Sequence, residues 1–190
     1  MRFAFVSLLF LLSFSKAEFV LKSIQELRNE ATVRQNYEES CGAASMANLL
    51  NLFSFKLFKE QDILDLLNHK TDMLSFFELK DLAIKMEYES EAYKLSRDEF
   101  SNLSMPAIVK VQKDPRFPHF IVVIPIKGDF IRIIDPNFGS YISSKDEFYS
   151  IWDIDKQGGY VLIVLPKDMN FLSIKNEIFF KDYHSDKTKF

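Results

Sequence analysis

Gln35-Asn36-Tyr37-Glu38-Glu39-Ser40-Cys41-Gly42-Ala43-Ala44-Ser45-Met46-Ala47-Asn48-Leu49-Leu50 changes character at Cys41. The residues before it are polar and read as a loop. From Cys41 onward, Ala, Leu, Met and Asn place apolar side chains at helical spacing. A thiol where a loop enters a helix feels the positive end of the macrodipole and nearby unpaired N–H groups, and both favour the thiolate. A cysteine used only for packing is expected mid-helix on the apolar face. Gly42 is expected to let a substrate backbone approach closely, and the small Ala43, Ala44 and Ser45 to let the helix pack tightly on a sheet.

Upstream, Ser23-Ile24-Gln25-Glu26 is a capping box opening a short helix to about Glu30. Downstream, a helix is predicted over Glu60 to Asn68. Ser75-Phe76-Phe77-Glu78 caps another to about Met86, and Ser96-Arg97-Asp98-Glu99 a short one before Leu103. From Met105 the pattern turns to β-branched runs, AIVKV, HFIVVIPI and DFIRII, separated by polar or glycine-containing turns. Ser144-Lys145-Asp146-Glu147 opens a helix to Trp152, and YVLIVL after Gly158-Gly159 is a last buried strand. Helices first and strands second predict an α+β fold with a mostly antiparallel sheet.

A thiolate nucleophile needs a general base and acid, usually His, and a group that orients it. Of the three histidines, His69 sits in Asn-His-Lys at a predicted helix end and His184 in the polar tail. His119 instead begins the strand HFIVVIPI, directly after Pro118. The next strand ends at Asp135-Pro136. If these strands pair around Lys127-Gly128-Asp129, His119 and Asp135 meet at one end. A three-residue loop, or a two-residue loop with a bulge, puts both on one face, whereas a strict two-residue loop puts them on opposite faces. In the first case Asp135 can fix the imidazole tautomer and stabilise the imidazolium. Gln35, six residues before Cys41, carries an amide that can donate to an oxyanion beside the Cys41 backbone N–H.

The chain has 190 residues, one domain's worth, and a globular composition with 47% hydrophobic and 27% charged residues. A net charge of −3 without a long block of one sign gives no footing for nucleic-acid binding or an electrostatic membrane anchor. Met1-Arg2, the apolar run Phe3 to Phe14 and the small residues of Ser15-Lys16-Ala17 predict a signal peptide over 1–17. That run is about 12 residues against the roughly 20 that span a bilayer, so no stable membrane insertion is expected after cleavage. The mature domain is expected over 18–166 and a partly ordered tail over 167–190, with a periplasmic or extracellular location in a bacterium. One Cys in an exported chain forms no internal disulfide and leaves a free thiol. No metal-ligand cluster suggests a cofactor. The pair Glu38-Glu39 reads as solvated loop charge, not as the carboxylates of a glycosidase.

The segment from Gln35 to Ala44 resembles the active-site motif of the peptidase C39 family, double-glycine leader peptidases with a papain-like fold. His119-Phe120-Ile121-Val122-Val123 is similar to the family's histidine strand. Asp135-Pro136, with Gly139 shortly after, is similar to its Asp-Pro-x-x-Gly segment. The likeness runs from about Val33 to Pro166. It implies Cys41 as nucleophile, His119 as base and acid, Asp135 as the orienting residue and Gln35 in the oxyanion hole. Many family members are domains of ABC exporters, but this chain shows neither a transmembrane bundle nor a GxxxxGK[ST] loop, and Pro118 stands where a small residue is expected. The expected substrate is therefore a polypeptide already exported, with a secretion system as a possible partner. The alternatives are a non-cleaving peptide-binding accessory of such a system, and a papain-like amidase or acyltransferase.

Overall fold

The computed structural model describes residues 21–53, 56–68, 73–112 and 118–167. The predicted signal peptide, His69, His184 and the tail beyond Lys167 lie outside the described residues. Helices α1 (Ile24–Asn29), α2 (Cys41–Phe53), α3 (Glu60–Leu66) and α4 (Phe76–Lys85) come first. They are followed by β1 (Tyr88–Leu95), α5 (Arg97–Ser101), β2 (Ala107–Val111), β3 (His119–Pro125), β4 (Phe130–Asp135), β5 (Gly139–Ser144), α6 (Lys145–Trp152) and β6 (Gly159–Pro166). The strands form one sheet in the order β1-β6-β2-β3-β4-β5, every neighbour antiparallel. This is an α+β, papain-like architecture.

The capping boxes at Ser23, Ser75 and Ser96 form reciprocally, each serine accepting from the backbone N–H three residues on. At α6 only half of the predicted box forms. Ser144 Oγ accepts from Glu147 N, but the Glu147 carboxylate accepts from Ser143 Oγ at 3.0 Å instead.

Two strands go beyond the sequence expectation. β1 precedes α5, so helices and strands are not fully separated in order, and β5 fills the segment before α6. Both are sheet edges. β1 (YESEAYKL) buries none of its residues fully, and β5 only Gly139 and Ser143. An edge strand pairs on one side only and needs no continuous apolar run, so the usual strand signal is weak there.

Side chains alternate along each strand and build two cores. On one face Ile108, Phe120, Val122, Ile124, Ile134, Leu162 and Val164 meet α2, α3 and α4. On the other, Val109, Val111, Ile121, Val123, Ile131, Ile133 and Val161 meet an aromatic group from α5 and α6: Phe100, Phe148, Tyr149 and Trp152. α2 lies close on β3. Every residue from Cys41 to Leu50 is buried, and Ser45 Oγ donates to Phe120 O at 2.9 Å. A Cβ at Gly42 would lie 3.2 Å from Leu74 Cβ and 3.5 Å from the Phe120 ring, so its small size serves the packing of α2.

Candidate active site

The β3–β4 register decides how His119 and Asp135 are disposed. Val122 pairs with Ile134, Val123 with Ile133 and Pro125 with Ile131. The extrapolated ladder leaves Lys127-Gly128-Asp129 as a three-residue loop, with Gly128 at φ +83°. Residues opposite each other share a face, so His119 and Asp135 fall on one side, in the more favourable of the two expected arrangements. His119 Nε2 lies 2.8 Å from Asp135 Oδ1.

Asp135 is 3% exposed, and its Oδ1 also accepts from Asn137 N at 2.8 Å and Phe138 N at 3.3 Å. This is the turn an Asp makes with the backbone that follows it. Gly139 ends the turn at φ +82°, where a Cβ would come within 2.7 Å of Arg28 O. That conformation and that close approach both require glycine.

Cys41 is the first residue of α2 and is 2% exposed, yet it lines the cleft. Phe120 N donates to Sγ at 3.5 Å. With Nε2 held by Asp135, the other ring nitrogen of His119 is left for Cys41, which lines the same cleft. Burial lowers the His119 pKa, but the hydrogen bonds to Asp135 and Cys41, with the charges of both, outweigh it and raise the pKa to about 9. At neutral pH the ring is a cation, able to pair with a thiolate and to protonate a leaving amine.

Cys41, His119 and Asp135 open on a cleft of about 360 Å³. Its apolar wall includes Met73, Val111, Ile121, Tyr141 and Ile151, with Glu38 and Glu39 at its edge. Beside it, burial and then the field of Asp135 push the Tyr141 phenol up to about 12, so that group stays neutral. The wall comes from well-separated segments of the chain, and no sequence signal gathers them.

Gln35 is placed next to this machinery in a different posture from the one expected. Its Nε2 donates to Tyr37 O and Glu38 O, both at 2.9 Å, and Oε1 is buried without a partner. Its backbone N donates to Pro136 O at 3.3 Å, joining the loop before Cys41 to the Asp135 turn. Sequence reading also missed Glu60, which is buried beneath that loop. It looked like an ordinary first-turn acid of α3. Among the described residues no group of His, Cys, Asp and Glu could hold a metal ion.

The family model for the peptidase C39 family matches residues 29–170. This chain belongs to the peptidase C39 family. Membership places it among cysteine-type peptidases. A relative from Pseudomonas fluorescens, described as the probable functional amyloid protease FapD, is 26% identical over 140 residues, covering 70% of this chain and 62% of its own. The lactococcin-G-processing and transport ATP-binding protein LagD of Lactococcus lactis is 26% identical over 137 residues, covering 71% of this chain and 19% of its own. This C39 chain therefore spans under two thirds of the length of either. Among solved structures, the peptidase domain of Streptococcus ComA, a bifunctional ABC transporter, superposes with a TM-score of 0.61 at 22% identity, covering 71% of this chain and 97% of that one. A double-glycine-motif protease from an AMS/PCAT transporter, solved with its leader peptide, gives 0.59 at 22% identity, covering 72% and 91%. These likenesses show the fold.

Proposed function

We propose that the protein is a cysteine peptidase that processes an exported polypeptide, with Cys41 as nucleophile, His119 as base and acid, Asp135 as its orienting partner and Gln35 as an oxyanion donor. One observation carries this reading: the thiol at the head of α2 and an imidazole hydrogen-bonded to a buried carboxylate line the same cleft. The Cys41 thiolate attacks the scissile carbonyl to give a tetrahedral oxyanion. Its collapse forms a thioester, and the amine leaves with the proton that His119 carried. Water, deprotonated by His119, then attacks the thioester, and the second collapse returns Cys41 and releases the new carboxyl terminus.

The Cys41 backbone N–H, at the start of α2, is free of an i−4 partner within the helix and suits the oxyanion. Gln35 joins it when Nε2 exchanges a loop carbonyl for that oxygen. Gln35→Ala is then expected to lower kcat about 100-fold. A loss no greater than a few-fold would leave Gln35 as a loop brace alone.

The substrate side of the proposal draws on the apolar start of the chain, which reads as a signal peptide, and on relatives named for a functional amyloid and for the processing and transport of lactococcin G. An extended backbone with apolar side chains fits the cleft wall. The double-glycine preference named for the AMS/PCAT protease is the first specificity to try. The deciding experiment compares, by mass spectrometry, the termini of exported proteins from cells carrying wild type and Cys41→Ala. The proposal expects one polypeptide to keep an extra segment in the variant. Identical termini, with both proteins present at equal amounts, would overturn it.

A further inference from the structure

Glu60, the first residue of α3, is 2% exposed. Its carboxylate accepts from Asn36 N at 3.0 and 3.1 Å, from Asn36 Nδ2 at 2.5 Å and from Ser40 Oγ at 2.5 Å. All of these donors are neutral. Burying a carboxylate is costly unless donors replace its water, and packing alone would be served better by an apolar side chain. What the carboxylate holds gives the reason for its presence.

Asn36 and Ser40 are the two ends of the turn that delivers the chain to Cys41. Ser40 Oγ also lies 2.9 Å from Tyr37 O and accepts from Tyr37 N at 3.2 Å. Ser40 O accepts from Ala44 N at 3.1 Å, the first helical bond beside the nucleophile. A shift at Ser40 therefore moves Cys41 Sγ and its backbone N–H together.

We propose that Glu60 is a positioning residue for Cys41, fixing the Asn36–Ser40 turn so that the thiol faces His119 and the backbone N–H faces the developing oxyanion. This rests on the peptidase reading above. Glu60 touches no reacting atom and acts through Asn36 and Ser40.

The test measures alkylation of Cys41 by iodoacetamide in the native full-length protein across pH 5 to 10, and so needs no substrate. Glu60→Gln keeps the shape of the side chain but turns an NH2 group toward donors. The rate at neutral pH is expected to fall roughly 10- to 100-fold while thermal melting stays cooperative. The shape of the pH profile is expected to change as well, because the thiol no longer meets the imidazole. Ser40→Ala, which removes one donor, is expected to slow alkylation several-fold, and it decides the matter if Glu60→Gln does not fold. A wild-type rate and profile in the folded Glu60→Gln protein, or in Ser40→Ala where the former does not fold, would overturn the inference. The two readings fail separately. Wild-type Cys41 reacting no faster than a small model thiol would sink the peptidase proposal, whereas fast reaction in both wild type and variants would sink only the role of Glu60.

Discussion

The two faces of the sheet are packed with different materials, and the residues of the proposed site come from both. One face is covered by α2 with Ala, Leu and Met on strands that are aliphatic apart from Phe120, so the helix lies close and brings Cys41 to the sheet end. The other is covered by a cluster of large rings: Phe100 and Trp152 have centroids 4.6 Å apart, and Phe148 stacks on Trp152 at 5.4 Å. His119 and Asp135 alternate in register with the residues of this second face, Ile121 and Ile133. The site lies where the faces meet, at the start of β3 and the end of β4. One core sets the position of the sulfur, and the other secures the strands that carry its partners.

That contrast predicts separable damage. The largest effect belongs to Cys41→Ala, which should remove processing entirely while the unfolding midpoint stays within a few degrees of wild type. A collapse of the fold would show that Cys41 is chiefly a core residue. Next is Phe148→Ala, expected to destabilise by about 3 to 5 kcal/mol in denaturant unfolding, while Cys41 alkylation in the folded fraction keeps its rate. Loss of alkylation at full foldedness would mean that the aromatic face tunes the site directly.

Asp135→Asn addresses the junction of the faces. The folded pKa of His119 is raised from 6.5 to about 9. The stability gained from its protonated form is therefore full below pH 6.5 and is lost as pH rises through about 9. In the proposed mechanism the imidazolium serves as acid, so activity should likewise fall as pH passes about 9. Asp135→Asn removes a charge and weakens a bond that raise that pKa, so both declines should begin at lower pH in rate profiles and in melting curves. An unmoved alkaline limb would exclude His119 as its source. The smallest expected change is Arg97→Ala, on the aromatic side. Arg97 Nε donates to the buried Asp153 at 2.7 Å. Its loss should cost about 2 kcal/mol of stability and leave the pH profile alone.

Asp135 and Asp153 also show how far a sequence can be read. Both are 3% exposed, and each ends or follows a regular element and accepts backbone N–H groups. Only the partner distinguishes them: a histidine 16 residues away, or an arginine 56 residues away. Asp135 was legible because a hairpin brings nearby strands together by local rules. Asp153 and Glu60 were not, because their partners lie across tertiary contacts that no local pattern encodes. The central strands β2, β3, β4 and β6 were legible as apolar runs. The edges β1 and β5 were not, since half of each faces solvent and a polar sequence suffices.

By itself the sequence determined the α2 boundary at Cys41, the buried strands, the three reciprocal caps and the order of thiol, imidazole and carboxylate along the chain. All of these rest on interactions within a few residues or on the periodicity of burial. The tertiary structure alone decided the hairpin register that puts His119 and Asp135 on one face, the packing use of Gly42, the loop-bound posture of Gln35 and the buried anchorage of Glu60. Each depends on which distant backbone atoms come within hydrogen-bond or van der Waals reach, and only the packed chain sets that.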